Sequence, residues 1–464
     1  NDPEDVKLIS YLNQINDLGD PRLRVIQIDE NKALPGLFNF LATFASGEYL
    51  VFFHPDNAIV YADWLDTLLG YAQRQEVGLV SPRMVDSRYR IRGAGYIAGL
   101  NGAAQALFSD QLLDHDGYAG RAKLTQNFTA LPAGCLMTKR VIFEAAGGFN
   151  EERYAWAYYE VDLAWRIYQA GLLNVWTPSV SILAEQEAPE ENWKLVRFRE
   201  GEKDKLFKQA EENLAEQWVN LMGHDPYYNV NLRLTGDAFK IDMRTAMPRN
   251  PLPWKPLKRI MALPADLQGC GHYRIISPAR HLLKHGKATT LIAMDHYTPA
   301  EIDRFELDSM VMQRQLLPHQ TAYIKRYKDI NKDTFLVFEV DDLFTHVPVK
   351  SLHRKELPKN ISALLRDSLK LFDRLVVSTA PIKEAYSGLI DDIRVVNNRI
   401  EKSIWGDFKP ARRGGKKPRV GWAGGVSHTG DLQIIADVVR ETANEVDWVF
   451  LGMFPEGTRA YIAE

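Results

Sequence analysis

The sequence predicts an α/β fold built from Rossmann-like units that follow one another along the chain. Short apolar runs of strand length alternate with helical patterns over residues 24–183 and again from residue 258 onwards. This alternation is typical of βαβ units and a largely parallel sheet. A stretch rich in Pro, Asn and Asp, residues 219–256, separates the two series. At about 150 residues per domain, 464 residues suffice for two to four domains.

The first series ends in a helix with mixed charges over 188–218, which we expect to pack on one narrow apolar stripe. Before it, the predicted strands are 24–29, 48–54, 77–81, 129–138 and 173–177, and the predicted helices are 34–45, 62–73 and 156–170. These elements form a predicted domain over residues 1–240, and residues 241–257 are a predicted linker.

The second series predicts a domain over 258–411, and a third begins at 418 and runs to 464, where a single βαβ unit ends the chain. In these two series together, the predicted strands are 258–263, 289–294, 308–312, 335–340, 374–378, 393–396, 419–422 and 448–451. The predicted helices are 277–285, 321–328, 361–372, 381–386 and 431–443. One such unit cannot cover both faces of a parallel sheet, so we expect that the natural protein extends further.

Composition excludes several classes of protein. With 57 basic and 60 acidic residues, the net charge is −3, which argues against a nucleic-acid-binding protein. The two cysteines lie far apart, so neither a disulfide framework nor a cysteine zinc site is predicted. No apolar run is long enough to span a membrane, and the chain opens at Asn1 without a signal peptide. We expect a cytoplasmic protein in a reducing compartment, or a piece of one.

Two acidic residues are candidates for chemistry. Asp56 follows an apolar strand, where a carboxylate can hold a hard cation, although Pro55, Asp56 and Asn57 are also good turn residues. Glu160 and Asp162 are two apart on a predicted helix and cannot share a face, whereas Asp162 and Arg166 have ion-pair spacing. Glu160 is therefore the acid that we expect to face a cleft and take part in chemistry. Its aromatic neighbours suit a sugar site, and they equally suit an ordinary core.

Residues 1 to about 240 resemble a family 2 glycosyltransferase, an inverting enzyme of the GT-A fold. Four blocks carry the resemblance, in the order of that family: 29–57, into the acidic metal motif; 131–151, LPAGCLMTKRVIFEAAGGFNE; 158–183, beginning YYEVDLAWR; and 225–241, DPYYNVNLRLTGDAFKI. The family's first metal-binding acid is missing, because the motif reads His54-Pro55-Asp56. Its late histidine is absent near 183–185, and its opening strand would precede Asn1.

The resemblance implies the role of each matching position. Glu160 would be the base that removes the proton of the acceptor hydroxyl, and Asp56 would bind a divalent cation, Mn²⁺ or Mg²⁺, on the diphosphate of the sugar donor. The donor side would be lined by Asn31, Gly36, Asn39 and His54, and the acceptor side by Gly134, Cys135, Trp156, Tyr158 and Tyr159.

Residues from about 257 onwards resemble, more loosely, a retaining family 4 glycosyltransferase of the GT-B fold. The matching blocks are 269–286, 338–344, 372–386, 395–400 and 420–432. The resemblance implies that Gly424 and Gly425 let backbone N–H groups approach a diphosphate. Asp341 and Asp342 either hold an acceptor or end a strand, and His272 and Arg274 either contact an anionic group or begin a helix. Without the rest of the donor half, this module is expected to be inactive.

Together the resemblances predict a GT-A domain, a GT-B acceptor-side domain and the start of a GT-B donor-side domain. The expected function is transfer of a sugar from a nucleotide-diphosphate donor to a glycan, or a lipid-linked glycan, in O-antigen or capsule synthesis. A lipid-linked acceptor would bring the protein to the inner face of the cytoplasmic membrane, where the segment 240–258 is either a headgroup contact or a plain linker. The alternative is a non-catalytic glycan-binding scaffold.

Overall fold

The structure, a computed structural model, describes residues 6–26, 28, 32–184, 202–243, 254–347, 354, 357–407, 409, 417–425 and 431–452. The chain divides into two compact units. Unit 1 comprises Asn1–Thr245 with Tyr297–Phe305, and unit 2 comprises Ala246–His296 with Glu306–Glu464. Within the described residues, no helix combines the length and the apolar character needed to cross a membrane.

The elements of unit 1 confirm most of the predicted helices and strands to within a few residues. In chain order they are α1 (Val6–Asp17), α2 (Leu34–Phe44), β1 (Tyr49–Phe53), β2 (Asn57–Ile59), α3 (Trp64–Ala72), β3 (Val77–Val85), β4 (Ile91–Gly93), β5 (Tyr96–Ala98), β6 (Ala104–Ala106), a 3₁₀ helix (Tyr118–Lys123), β7 (Gln126–Phe128), β8 (Cys135–Lys139), α4 (Arg140–Ala145), α5 (Tyr159–Gln169), β9 (Leu173–Ala184) and α6 (Glu202–Gly223). Of the charged helix predicted at 188–218, residues 188–201 lie outside the described residues.

Two predicted strands of unit 1 need correction. The described residues of 24–29, which are 24–26 and 28, are not in a strand. The strand predicted at 129–138 begins only at Cys135, after a segment that contains Pro132 and Gly134. Proline has no N–H to donate to a sheet, so the apolar run continues through this segment while the strand does not.

The sheet of unit 1 is mixed, and the prediction of a largely parallel sheet is wrong for this unit. The strand order is β1-β8-β3-β9-β2, with β4 beside β3 and β7 beside β9. Only β3 and β9 pair in parallel among these described strands; the other pairs are antiparallel. Apolar periodicity shows that a segment is a strand but not the direction in which it runs, so the sequence pattern could not reveal this.

The core of unit 1 lies between α3 and the central strands β3, β8 and β9. Strand β3 is buried along almost its whole length, as expected of a strand covered on both faces. The buried side chains of this core are Leu68, Ala72, Val77, Val80, Met84, Cys135, Met137, Val175, Val180 and Ile182. This core fixes the ends of β1 and β8, which carry the candidate site residues.

Unit 2 confirms the predicted second and third α/β series. The elements after α6 are β10 (Lys258–Leu263), α7 (Gly269–Gly271), a π-helical turn (His272–Ile276), α8 (Ser277–Lys284), β11 (Ala288–Ile292), α9 (Pro299–Phe305, part of unit 1), β12 (Ser309–Gln313), α10 (Pro318–Ile330), β13 (Phe335–Val340), a 3₁₀ turn (Phe344–His346), α11 (Ile361–Leu369), β14 (Arg374–Val377), α12 (Ala380–Ala385), β15 (Ile393–Val395), α13 (Lys402–Trp405), β16 (Arg419–Gly424), α14 (Asp431–Ile434), α15 (Ala436–Thr442) and β17 (Asp447–Gly452).

Six strands of unit 2 form a wholly parallel sheet in the order β11-β10-β12-β13-β14-β15. From β10 the chain passes to β11 on one side, and from β11 it crosses back to β12 on the other side of β10. Such a reversal opens a crevice at the carboxyl ends of the strands, where open α/β sheets bind ligands. Strands β16 and β17 form a separate parallel pair.

Candidate functional site

The first turn of α5 gives Glu160 and Asp162, which are two positions apart in the sequence, different surroundings. Tyr158, the residue before the helix, adopts a left-handed conformation with φ of 63°, which is rare for a residue other than Gly and typical of functional sites. Glu160, in the first turn, is 7% exposed and accepts a hydrogen bond from the Tyr96 hydroxyl at 3.2 Å. The local backbone therefore delivers this carboxylate to a tyrosine on β5.

Burial controls the protonation of Glu160. Loss of hydration disfavours the charged form and raises the pKa of Glu160 to about 7, although hydrogen bonds from its own amide and from Tyr96 oppose the shift. The same burial, with the Glu160 charge nearby, raises the pKa of Tyr96 well above its usual range, so Tyr96 stays protonated and donates. A carboxyl group with a pKa near neutrality is suited to accept a proton from a hydroxyl.

Asp162 has a structural role, and the predicted ion pair with Arg166 is confirmed. The Arg166 guanidinium lies 2.7 Å from the Asp162 carboxylate, and the Trp218 indole N–H donates to its other oxygen at 3.2 Å. Arg166 also donates to the backbone oxygens of Ala146 and Gly148. Asp162, which is fully buried, thus connects α5 to α6 and to the turn before α5. Among the described residues, Glu160 has no ion-pair partner that would compete with a substrate.

Asp56 lies in the turn between β1 and β2, against the start of β8. His54 N–H donates to the Gly134 carbonyl at 2.9 Å, and Asn57 Nδ2 donates to the same oxygen at 2.6 Å. The Asp56 N–H donates to His54 Nδ1 at 3.2 Å. Burial lowers the pKa of His54, opposed by Asp56 3.6 Å away, so the imidazole is neutral at pH 7. The structure therefore brings His54 and Asp56 next to Gly134.

The donor set at Asp56 fits a cation that arrives with a diphosphate. The described residues place one half-buried carboxylate and one neutral imidazole in this turn, which is too sparse for a closed metal site. Magnesium-type cations are commonly held by one or two carboxylates with substrate phosphates completing the shell. Asp56 can supply the carboxylate, and a diphosphate would have to supply most other ligands.

Gly36 and Asn39 fasten α2 to the turn before α5. A side chain at Gly36 would meet Glu151 Oε2 at 1.9 Å, so the Glu151 side chain lies against this glycine. Asn39 donates to the Phe149 carbonyl at 2.8 Å and accepts the Phe149 N–H at 2.9 Å. The amide of Asn39 is therefore committed to backbone, and the predicted neighbour Asn31 lies outside the described residues.

Most of the side chains predicted for the acceptor side are buried. Cys135 is fully buried in the apolar core, which raises the pKa of its thiol to about 12; an acceptor could meet only backbone here. Tyr159 is buried edge-on against Phe149. Trp156 is half-buried, and the Tyr158 hydroxyl donates to Glu211 at 3.3 Å.

The two glycines predicted to bind phosphate, Gly424 and Gly425, lie at the end of β16. Gly424 is the last residue of β16 and pairs with Gly452 on β17, where a side chain at Gly452 would meet the Gly424 carbonyl at 2.1 Å. Gly425 follows directly, and residues 426–430 lie outside the described residues. The predicted βαβ unit is confirmed, and its role in phosphate binding stays a prediction.

The other residues of unit 2 singled out by sequence have partners within that unit. Arg274 pairs with buried Glu339 at 2.6 Å, and His272 contacts Glu401 at 3.0 Å. These contacts join the start of the α7–α8 segment to the end of β13 and to the start of α13. They favour a structural role for both residues over contact with an anionic ligand.

Tyr96 is the site residue that sequence reasoning missed. It lies in the glycine-rich segment 92–102, which reads RGAGYIAGLNG. A side chain at Gly95 would meet the Phe128 ring at 2.0 Å, so the chain approaches its neighbour closely just before Tyr96. An aromatic residue among closely spaced glycines was the available signal. Buried Asp225 supports this strand by accepting the Ala98 N–H at 2.8 Å.

Comparisons with known proteins give two curated relatives. The chain is 32% identical over 222 residues to the uncharacterised protein y4gI of Sinorhizobium fredii (strain NBRC 101917 / NGR234), covering 47% of this chain and 24% of the relative. It is 29% identical over 272 residues to the O-antigen biosynthesis protein RfbC of Myxococcus xanthus, covering 58% of this chain and 20% of the relative. The matches thus span about a quarter or less of each relative.

No family model matches the chain. Among solved structures, GalNAc-T7 with UDP, GalNAc and Mn²⁺ aligns at a TM-score of 0.32 and 13% identity, covering 49% of this chain and 44% of that chain. A TM-score of this size does not establish a shared fold. The α/β class is instead established by the strands and helices themselves.

Proposed function

We propose that unit 1 is the transfer module of a nucleotide-sugar-dependent glycosyltransferase that acts in cell-surface polysaccharide synthesis of the O-antigen type. The observation that carries the proposal is Glu160, a buried acid with a pKa of about 7 that accepts a hydrogen bond from Tyr96. The sequence similarity to an O-antigen biosynthesis protein supports the biological setting.

In the proposed reaction, an acceptor hydroxyl attacks the anomeric carbon of the sugar donor while Glu160 takes its proton. The new bond joins the acceptor oxygen to the anomeric carbon, and the bond from that carbon to the diphosphate breaks. Attack opposite the leaving group inverts the anomeric centre. The Tyr96 hydroxyl holds Glu160 Oε1 in place. Half-buried Trp156, four residues before Glu160, is the aromatic residue that we assign to contact with sugar C–H groups.

The nucleoside diphosphate leaves with the bonding electrons. A Mn²⁺ or Mg²⁺ ion, when bound, would offset the charge on this leaving group. Asp56 would hold the ion, and the turn at His54–Asn57 would hold Asp56, because His54 and Asn57 are both fixed on the Gly134 carbonyl. We propose that the acceptor is a glycan or a lipid-linked glycan, and that a lipid-linked acceptor would place the protein at the inner face of the cytoplasmic membrane.

A screen of nucleotide sugars tests this proposal. Thermal unfolding of the protein would be followed with UDP-, dTDP- and GDP-sugars, each with and without Mn²⁺. The proposal predicts that one nucleotide class raises the Tm, that Mn²⁺ increases the rise, and that Asp56→Asn removes the metal-dependent part. No rise with any sugar nucleotide would contradict it.

A second candidate function is a non-catalytic, glycan-binding scaffold. The observation that favours it is the thin metal site, in which His54 occupies the place of a first acid and is neutral at pH 7. Glu160→Gln separates the two functions. A variant that binds the sugar donor but loses turnover supports the enzyme, and turnover that is indifferent to Glu160 supports the scaffold.

A further inference from the structure

A second group of candidate ligands lies in unit 2, at the carboxyl end of β13. The Cys270 thiol, Asp341 and Asp342 place one potential ligand atom each within 4.8 Å of one another. Cys270 comes from the turn after β10, and the two acids directly follow β13. The strand order reverses between β10 and β12, and β13 is the next strand beyond β12. The cluster therefore lies at the carboxyl ends of the strands near this reversal, the region where open α/β sheets bind ligands.

Asp341 supplies an independent sign that something is missing from this cluster. Its side chain is 7% exposed, and its Oδ1 is buried without a hydrogen-bond partner among the residues that the structure describes. A buried carboxylate oxygen left without a donor costs about 1–3 kcal/mol. Arg314 Nε forms a long ion pair with this oxygen at 4.0 Å, which is too distant for a hydrogen bond.

The charges around the cluster leave room for a cation. Arg314 donates to Asp266 at 3.0 Å and also lies 4.0 Å from Asp341, so its single positive charge is shared between two carboxylates. Arg274 is paired with Glu339 at 2.6 Å. Burial and the neighbouring Asp341 raise the pKa of the Cys270 thiol to about 12, so a bound ion would displace the thiol proton. The thiolate, Asp341 and Asp342 would then carry three negative charges, which a divalent ion would partly neutralise. Asp342 is exposed and gives an ion access from solvent.

We propose that Cys270, Asp341 and Asp342 form a binding site for a divalent cation of the Zn²⁺ class. One thiolate and two carboxylates are ligands that zinc accepts, and three protein ligands leave a fourth position open. Zinc–ligand distances imply ligand atoms about 3.5 Å apart in a tetrahedral site. The ligand atoms lie within 4.8 Å of one another, so they would draw together by up to about 1 Å on binding. This site is independent of the proposed sugar transfer in unit 1.

Cobalt is the probe that distinguishes this site from Asp56. Protein freed of metal would be titrated with Co²⁺, which absorbs in the near ultraviolet when a thiolate binds it, whereas a site made of oxygen ligands gives no such band. The chain offers a matched control because it has two cysteines, and Cys135 is in the core of unit 1. The band is expected in the wild type and in Cys135→Ser, and Zn²⁺ should displace it.

Two variants and one protection assay complete the test. Cys270→Ser should lose the band, and Asp341→Asn should weaken Co²⁺ binding roughly tenfold or more. In unaltered protein, Zn²⁺ should slow alkylation of Cys270 by iodoacetamide, a readout that needs no variant to fold. A wild-type protein that shows no sulfur-to-cobalt band, a band that persists in Cys270→Ser, or alkylation unaffected by Zn²⁺ would each overturn the proposal.

Discussion

Replacing Glu160 by Gln should stabilise the protein at alkaline pH while it removes activity. The folded-state pKa of about 7 lies above the usual 4.5 of a glutamic acid. Between these values the folded protein holds a proton that the unfolded chain has released, so stability falls as the pH rises and levels off above pH 7. Ionised Glu160 therefore costs the folded state about 3 kcal/mol, and Gln, which does not ionise, avoids this cost.

Urea unfolding at several pH values measures the effect. The difference in unfolding free energy between Glu160→Gln and wild type should grow by about 3 kcal/mol from about pH 4 to about pH 8. Using the growth with pH removes any constant effect of the amide on packing. Asp162→Asn is the matched control, two residues along the same helix, and should be less stable than wild type by about 3 kcal/mol because Arg166 and Trp218 lose their partner.

A difference that does not change with pH would refute the reasoning. It would mean that Glu160 is solvated or paired in solution and that its environment does not tune it as a base. A variant that loses stability at alkaline pH, as Asp162→Asn should, would assign Glu160 a structural role.

Two further substitutions test the site, and a pair of glycine substitutions tests the packing beside Tyr96. Tyr96→Phe removes the hydroxyl that lowers the pKa of Glu160. Because a hydrogen bond to a charged group is worth about 1.5–3 kcal/mol, the acid limb of the pH–rate profile should move up by about 1–2 pH units. An acid limb that does not move would show that this hydrogen bond is unimportant. Asp56→Asn should abolish the effect of Mn²⁺ on sugar-nucleotide binding, measured by calorimetry, and an unchanged metal dependence would place the cation elsewhere. Gly95→Ala, whose methyl group would meet the Phe128 ring, should lower stability by about 1–3 kcal/mol. Gly70→Ala, in open space on α3, should raise stability by about 0.5–1 kcal/mol. Equal effects of the two variants in thermal unfolding would contradict the close approach of Gly95 to Phe128.

Sequence patterns predicted elements better than their arrangement. Helices α2, α3 and α5 and the six parallel strands of unit 2 follow from apolar periodicity, since that periodicity reflects the face each element buries. The antiparallel pairs of unit 1 depend on how the chain returns, which a local pattern does not contain. The spacing rule that separates Asp162 from Glu160 is local to one helix, and the ion pair with Arg166 confirms it.

The contacts of the site depend on residues far apart in the chain. Tyr96 meets Glu160 from 64 residues away, and the His54–Asn57 turn meets Gly134 across the β1–β8 pair. Cys135 matched a site position in sequence, yet its side chain lies in the core, because alternate residues of a strand point to opposite faces. Long-range pairing and side-chain direction were therefore the parts that sequence could not supply.

Transfer turnover in the Glu160→Gln variant tests the central proposal most directly. The rate would be measured at saturating concentrations of the sugar nucleotide that stabilises the protein, with wild type and Tyr154→Phe, a buried tyrosine whose hydroxyl contacts Gln217, as references. Loss of a general base predicts that kcat falls by about 10²–10⁴ while the affinity for the sugar nucleotide is unchanged. Turnover equal to that of the wild type would contradict the assignment of Glu160 as the base and favour the scaffold.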